Sequence, residues 1–304
     1  MKSGEGHYKI NNPKVSVLIS LYNYGQYLQE AVESVEKQTC ADWEIIIVDD
    51  CSTDKSLSVA MELERRLGGR LRLIRNSTNQ GVARTRNIAI EAARGRYIAF
   101  LDADDRWHPK KLQMQMELFE TKDNPPDIVH TGIKTFADSD ITEWLRKSRG
   151  PARDPEYWDL CFNDRFLKTI RKNKGDYFDL FCHNNPTCFS SFVVKREVLS
   201  SVGGFDEGLF HQSEDWLLWL KASLFFQFHF IPDKLTYYRI HRRSYTLRVY
   251  VSPEYDHEVN RGQVRDRCLI FARRKGLKLS YGQFESKKSI LKYIAKYILR
   301  KMRR

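Results

Sequence analysis

The feature that most constrains the fold is a rhythm between residues 15 and 130, where short runs rich in Val and Ile alternate with longer stretches of helical pattern. The runs are VSVLIS (15–20), EIIIV (44–48), LRLIR (71–75), YIAFL (97–101) and DIVHTG (127–132). Runs that are apolar at nearly every position suit strands buried on both faces. The intervening segments 26–38, 54–67, 82–93 and 109–121 carry helix signals: N-cap chemistry at Ser52 to Asp54, a Gly68-Gly69 stop and a first-turn Pro109. Such alternation predicts an α/β layer fold with a mostly parallel central sheet flanked by helices. Ligands of such sheets gather beyond the carboxyl ends of the strands.

Acids stand at those ends. Asp49-Asp50 follows EIIIV, Asp102-Ala103-Asp104-Asp105 follows YIAFL, and Glu214-Asp215 opens a later helix. Each cluster alone reads as helix caps or complements to a helix dipole. The repetition of one layout at two strand ends weakens that reading. Two carboxylates spaced by one residue can face one hard divalent cation, Mg²⁺ or Mn²⁺, which takes oxygen ligands from one or two carboxylates and from substrate phosphates. Such a cation neutralises charge on a diphosphate leaving group. The first strand is followed by no G-x-G-x-x-G, and the chain has no G-x-x-x-x-G-K-[ST], which argues against dinucleotide-binding and P-loop chemistry.

Residues 134 to 186 break the rhythm and read as a polar, aromatic insertion, with Trp144, Tyr157 and Trp158 open to either a sugar-stacking or an anchoring role. Structure is expected to resume with CFSSFVV (188–194), a turn at GGFDEG (203–208), a helix from Glu214 to about Phe225, and a strand pair at 226–231 and 235–241. The net charge of +12 is unevenly placed: residues 261–304 carry +13 and the first 260 residues −1. The end of the tail, FESKKSILKYIAKYILRKMRR, places Ile294, Ile298 and Met302 at helical spacing among lysines and arginines. A basic amphipathic helix of this kind suits an anionic membrane surface, or a packed helix with a solvated basic face. Nucleic acid is not expected as a partner, since no binding motif accompanies the charge. No apolar run is long enough to cross a bilayer. Six cysteines without C-x-x-C spacing read as reduced thiols, and with no leader-like start they suggest a cytoplasmic protein.

Together, SVLISLYNYGQYLQEAVESV, EIIIVDDCSTDKS, NQGVARTRNIAIEAARGRYIAFLDADD, GGFDE, SEDWLLWLKAS and YRIHRRS resemble, in order, the motifs of family 2 inverting glycosyltransferases of the GT-A type. The resemblance covers residues 14 to 121 and 188 to 246. It implies a Rossmann-like GT-A sheet in a catalytic domain at 1–250, with a nucleotide-binding half at about 14–121 and an acceptor-binding half at about 122–250. A basic helical extension would occupy 251–304. It also implies roles. Tyr22 packs near the nucleotide base and Asp50 reads it; Arg86 contacts the nucleotide, or in the plainer alternative pairs with Asp50. Asp102 faces the ribose, Asp104 ligates the metal, and Asp105 orients rather than ligates. His241 and Ser244 close over the diphosphate, His241 as metal or diphosphate contact in a cationic setting with Arg239, Arg242 and Arg243. Asp215 is the base that takes the proton of the acceptor hydroxyl, with Glu214 orienting it or a donor hydroxyl, and the dipole of its helix keeping it ionised.

The expected activity is inverting, metal-dependent transfer of a sugar from a nucleotide-diphosphate donor, a UDP-sugar, to a glycan or lipid-linked acceptor in cell-surface polysaccharide synthesis. The expected location is peripheral, on the inner face of the cytoplasmic membrane. A catalytically silent sugar-nucleotide-binding or membrane scaffold module is the alternative.

Overall fold

The structure, a computed structural model, describes residues 12–120, 123–138, 141, 176–183, 185–209, 213–244, 257–280 and 284. The expected alternation forms its first half: β1 (Val15–Leu21), α1 (Gly25–Glu36), β2 (Trp43–Asp49), α2 (Ser56–Leu67), β3 (Leu71–Arg75), α3 (Val82–Ala92) and β4 (Tyr97–Phe100). A short β5 (Arg106–Trp107), α4 (Lys111–Phe119) and β6 (Ile128–Ala137) follow. The second half contributes α5 (Tyr177–His183), β7 (Val193–Lys195), α6 (Arg196–Val202), α7 (Glu214–Ala222), β8 (Phe228–Ile240) and α8 (His257–Arg274).

One eight-stranded sheet runs in the order β3-β2-β1-β4-β7-β6-β8-β5. Its first four strands are parallel, so the carboxyl ends of β1, β2 and β4 open on the same edge. β7 is antiparallel to both β4 and β6, β8 is parallel to β6, and β5 closes the far edge antiparallel to β8. Alternation along the strands sorts the core into two layers. Val15, Val17, Ile19 and Leu21 face α1, α2 and α4 with Ile45 and Ile47 of β2. Leu18, Ile46, Val48, Ile98 and Phe100 face α3 and the helices of the second half. Close approach of backbones is visible at Gly25, where an added Cβ would stand 2.7 Å from the Ser56 nitrogen. α1 and α2 can therefore start side by side only with glycine there.

The expected strand pair at 226–231 and 235–241 is instead one strand, β8. Both of its parts pair with β6: Phe228–Ile231 beside Ile128–Thr131, and Lys234 onward beside Gly132–Ala137. Pro232 lacks an N–H and breaks the ladder, and the register shifts at Gly132 absorb it as a bulge. A Cβ on Gly132 would fall 2.5 Å from the Pro232 carbonyl oxygen. The break between the two expected strands is thus a kink within a parallel ladder.

α7 is held by its apolar side chains. Leu217, Leu218, Trp219 and Leu220 are at most 1% exposed, each contributing about 1.5–3 kcal/mol through burial. The Trp219 ring stacks on Phe192 at 4.0 Å, which makes it a core residue. α8 packs into the same layer through Val264, Cys268, Leu269 and Ala272, and Phe284 beyond it joins Phe178 of α5. The described part of α8, with Leu277, Leu279 and Phe284 beyond it, therefore shares this core layer. Trp144, Tyr157, Trp158 and the basic segment 285–304 lie outside the described residues. No described helix is long and apolar enough to cross a membrane. The five described cysteines are free thiols.

Candidate active site

Beyond β2 the backbone turns sharply, with Cys51 at φ 61°. Asp50, 3% exposed, accepts hydrogen bonds from the Asn76 side chain at 2.8 Å, the Gln80 N–H at 2.8 Å and the Gly81 N–H at 2.9 Å. Gly81 is the N-cap of α3, and Asp50 fixes the chain that leads into that helix by accepting the N–H groups of Gln80 and Gly81. Tyr22, 43% exposed, lies just after β1. The next residue, Asn23, sits at φ 59°. Its side-chain oxygen takes the N–H groups of Thr53 and Asp54, which ties the β1 loop to the β2 loop.

The four residues after YIAFL divide in burial and partners. Asp105 is 1% exposed and wholly engaged: it accepts from the Ser190 hydroxyl at 2.5 Å and from the Arg239 N–H at 3.0 Å. Burial and the neighbouring Asp104 and Asp102 push its carboxyl well above the usual range. These bonds tie the loop after β4 to Ser190 and to β8. Asp102 pairs with Arg86 at 3.0 Å, and its own N–H donates to Ser190. Burial, and after it the repulsion of Asp104, raise its carboxyl to about 6 against the opposing pull of Arg86. Asp104 meets the His241 ring, Nε2 to Oδ2, at 2.9 Å. His241 Nδ1 accepts the Arg243 N–H at 3.1 Å, so the neutral ring carries its proton on Nε2, toward Asp104. Tyr27 and Tyr24 flank the imidazole at 4.9 and 5.4 Å.

The arginines expected around His241 are otherwise employed. Arg239, 5% exposed, is spent on Asp138, Glu30 and the Asp104 carbonyl. Arg243 donates to the Asn23 carbonyl. Ser244, 3% exposed, gives its hydroxyl proton to the His241 carbonyl and so closes the turn on which His241 stands.

Arg86 is the crossing point of the site. Its guanidinium lies 3.6 Å over the Phe189 ring and pairs with Glu214 at 2.5 Å and Asp102 at 3.0 Å. It does not pair with Asp50, the plainer role considered above, because α3 turns it toward α7 and the end of β4. Glu214, 5% exposed, is therefore a partner of Arg86. Asp215 follows on the first turn of α7, where Oδ1 takes the Trp216 N–H at 2.6 Å and Oδ2 takes the Asn185 amide at 2.9 Å. Its carboxyl is raised to about 7, by burial first and by the Glu214 charge second, with Arg86 and the Trp216 N–H opposing. The expectation that the helix dipole keeps it ionised is thus corrected: desolvation and Glu214 outweigh the helix end. A carboxyl poised near neutrality is better suited to proton transfer than a permanently ionised one.

The structure joins Asp102, Arg86, Glu214 and Asp215 into one chain of contacts, and Asp104, His241 and Ser244 into a second that begins two residues from Asp102. Asp50 and Tyr22 stand apart on the β1 and β2 loops. Asn185 and Ser190 were missed, since a lone Asn or Ser on a loop has no sequence signature. For a divalent cation, Asp104 and His241 offer a carboxylate and an imidazole, which here are hydrogen-bonded to each other at 2.9 Å. Among the described residues no group of three or more His, Cys, Asp or Glu side chains could hold a metal by itself. That partial set fits a cation completed by substrate phosphates. Coordination through Nε2 would displace its proton and set Nδ1 against the Arg243 N–H.

The geometry can be set beside known proteins. An uncharacterized glycosyltransferase of Nostoc sp. is 33% identical over 237 residues, covering 75% of this chain and 65% of that protein. The Escherichia coli UDP-Glc:alpha-D-GlcNAc-diphosphoundecaprenol beta-1,3-glucosyltransferase WfgD is 38% identical over 104 residues, covering 34% of this chain and 40% of that protein. The chain thus spans between 40% and 65% of the length of these two relatives. Among solved structures, the mannosyltransferase PcManGT of Pyrobaculum calidifontis, in complex with GDP-Man and Mn²⁺, superposes with a TM-score of 0.58 at 16% identity. It covers 95% of this chain and 81% of its own, a likeness of fold, that of the GT-A transferases. The family model described as glycosyl transferase family 2 matches residues 16–203, a span that runs from β1 through both strand-end acid clusters to α6. With strand order, acid placement and family model in agreement, the chain belongs to glycosyl transferase family 2.

Proposed function

We propose that this protein is an inverting glycosyltransferase that moves a sugar from a UDP-sugar to a glycan or lipid-linked acceptor, with Asp215 as the base. The observation that carries this reading is the Asp102–Arg86–Glu214 bridge, which sets a carboxyl near neutrality, Asp215, beside the donor-side acids. Single displacement at an anomeric carbon requires one carboxylate to accept the acceptor hydroxyl proton while the nucleoside diphosphate departs from the opposite face. Tyr22, Asp50 and Arg86 shape the nucleotide end, Asp102 faces the ribose, and Glu214 and Ser244 set the positions of Arg86 and His241. Asp104 and His241 would hold Mn²⁺ or Mg²⁺, which supplies positive charge against the leaving diphosphate. The UDP-glucose and diphosphoundecaprenol in the name of the Escherichia coli relative support the donor class and a lipid-linked acceptor. That acceptor class agrees with polysaccharide synthesis at a membrane. The basic segment 285–304 would hold the enzyme peripherally on anionic lipid.

The test is a panel of nucleotide sugars assayed for nucleotide release and for thermal stabilisation, with and without Mn²⁺. Metal-dependent release from a UDP-sugar, abolished by Asp104→Ala, is expected. Stabilisation by UDP-sugars with no turnover of any donor toward any acceptor or water would favour the silent binding module instead.

A further inference from the structure

The base is held by a residue outside every motif of the sequence. Asn185 donates from Nδ2 to Asp215 Oδ2 at 2.9 Å. The orientation of this amide is set by its other end, where Oδ1 accepts the Thr187 N–H at 3.2 Å and the Thr187 hydroxyl at 2.5 Å. With Oδ1 committed to two donors, Nδ2 has to face the carboxylate. The other oxygen of Asp215 is already taken by the Trp216 N–H. Two fixed donors from two different elements therefore clamp this carboxyl. The loop that carries Asn185 continues to Ser190, which holds Asp105 and the Asp102 N–H. One short segment thus positions acids on both sides of the site.

We propose that Asn185 is a positioning residue for the base: its amide holds the Asp215 carboxyl in one orientation and favours its ionised form. The inference rests on the reading of Asp215 as base. A hydrogen bond given to the charged form stabilises that form. The surrounding charges make this donor matter. Glu214 and Asp102 repel a charge on Asp215, and Arg86 attracts it. On the helices packed against α7, Asp179 and His183 of α5 stand 3.9 Å from each other. Arg196 of α6 donates to the Gly95 carbonyl and Glu197 is exposed. Arg265 and Arg267 of α8 are engaged by the Cys182 carbonyl and Asp206. Against burial and two neighbouring acids, Asn185 and the Trp216 N–H join Arg86 in favouring the carboxylate.

The experiment compares wild type, Asn185→Leu and Asn185→Asp in the pH dependence of UDP release from UDP-glucose with Mn²⁺. In parallel, the Asp215 carboxyl is titrated directly by ¹³C NMR without donor or metal, assigned with Asp215→Asn. In Asn185→Leu the acid limb and the Asp215 titration are expected to move up by about one pH unit. Asn185→Asp should move them further, because a like charge replaces a donor. Activity in both should recover toward wild type at high pH. Thr187→Val, which keeps Asn185 but removes the hydroxyl that orients it, should give a smaller shift in the same direction. A uniform loss of activity with an unmoved limb and an unmoved Asp215 titration would overturn the positioning role. If wild type releases no UDP, the parent reading has failed with this donor, and the carboxyl titration alone still decides whether Asn185 governs Asp215. Full transfer by Asp215→Asn overturns the parent reading and this inference with it.

Discussion

Asp50, at the end of β2, accepts three hydrogen bonds from the loop before α3, whereas Asp215, at the start of α7, accepts two and has Glu214 beside it. Both belong to acid pairs that look alike in sequence, and they are placed under opposite conditions. The first half surrounds Asp50 with three N–H donors, so that acid builds the loop before α3. The second half desolvates Asp215 and sets the Glu214 charge beside it, so its carboxyl is raised to about 7 and its proton becomes exchangeable at neutral pH. The lesson is that acid pairs alike in sequence are separated by their surroundings, three donors at Asp50 against two donors and the Glu214 charge at Asp215.

That contrast can be broken at Arg86, the side chain shared by the two halves. Arg86→Met would leave the buried Glu214 and the half-buried Asp102 without a counter-charge. A loss of about 3–5 kcal/mol in denaturant unfolding is expected. Arg86→Lys should recover part of it, since one ammonium cannot fork across two carboxylates. A loss below about 1 kcal/mol for Arg86→Met would show that the bridge does not hold the halves together.

The next effect distinguishes structural acids from one another. Asp50→Asn turns an NH₂ group toward donors that need an acceptor, and should cost about 2 kcal/mol. Asp105→Asn should cost less, about 1 kcal/mol, because burial already favours a protonated carboxyl there. Equal costs would contradict the division between the two sites.

Legibility followed the same line. The parallel half is readable because its strands are short, mostly apolar runs and the ends of β2 and β4 carry acids, and both signals are local. The β8 kink was not, because whether Pro232 turns a hairpin or bends one strand depends on β6 being there to pair with both parts. Arg86 was recognised as a site residue, yet its partners were not foreseeable, since Glu214 lies 128 residues away. Asn185 was invisible because its role depends on Thr187 fixing one end of the amide while Asp215 meets the other.

A pH-dependent effect tests the electrostatics at Asp215. Since the folded-state carboxyl of Asp215 sits near 7 and its ordinary value is 3.8, the unfolded chain ionises first as pH rises. Stability is therefore lost between about pH 4 and 7, and the penalty is full above that. Asp215→Asn removes it, so without metal or donor the variant should melt a few degrees above wild type at pH 8 and with it at pH 4, by calorimetry. Smallest of all, Tyr22→Ala should leave stability within about 0.5 kcal/mol, as expected for an exposed side chain. It should nevertheless weaken UDP binding measured by titration calorimetry; unchanged affinity would remove Tyr22 from the nucleotide end.

The most direct test of the division of labour is Asp215→Asn assayed for both transfer and donor binding on the same preparation. The account predicts a loss of transfer of roughly a thousandfold with UDP-sugar affinity unchanged, since the nucleotide half does not depend on that carboxylate. Transfer at the wild-type rate, or a parallel collapse of donor affinity, would contradict it.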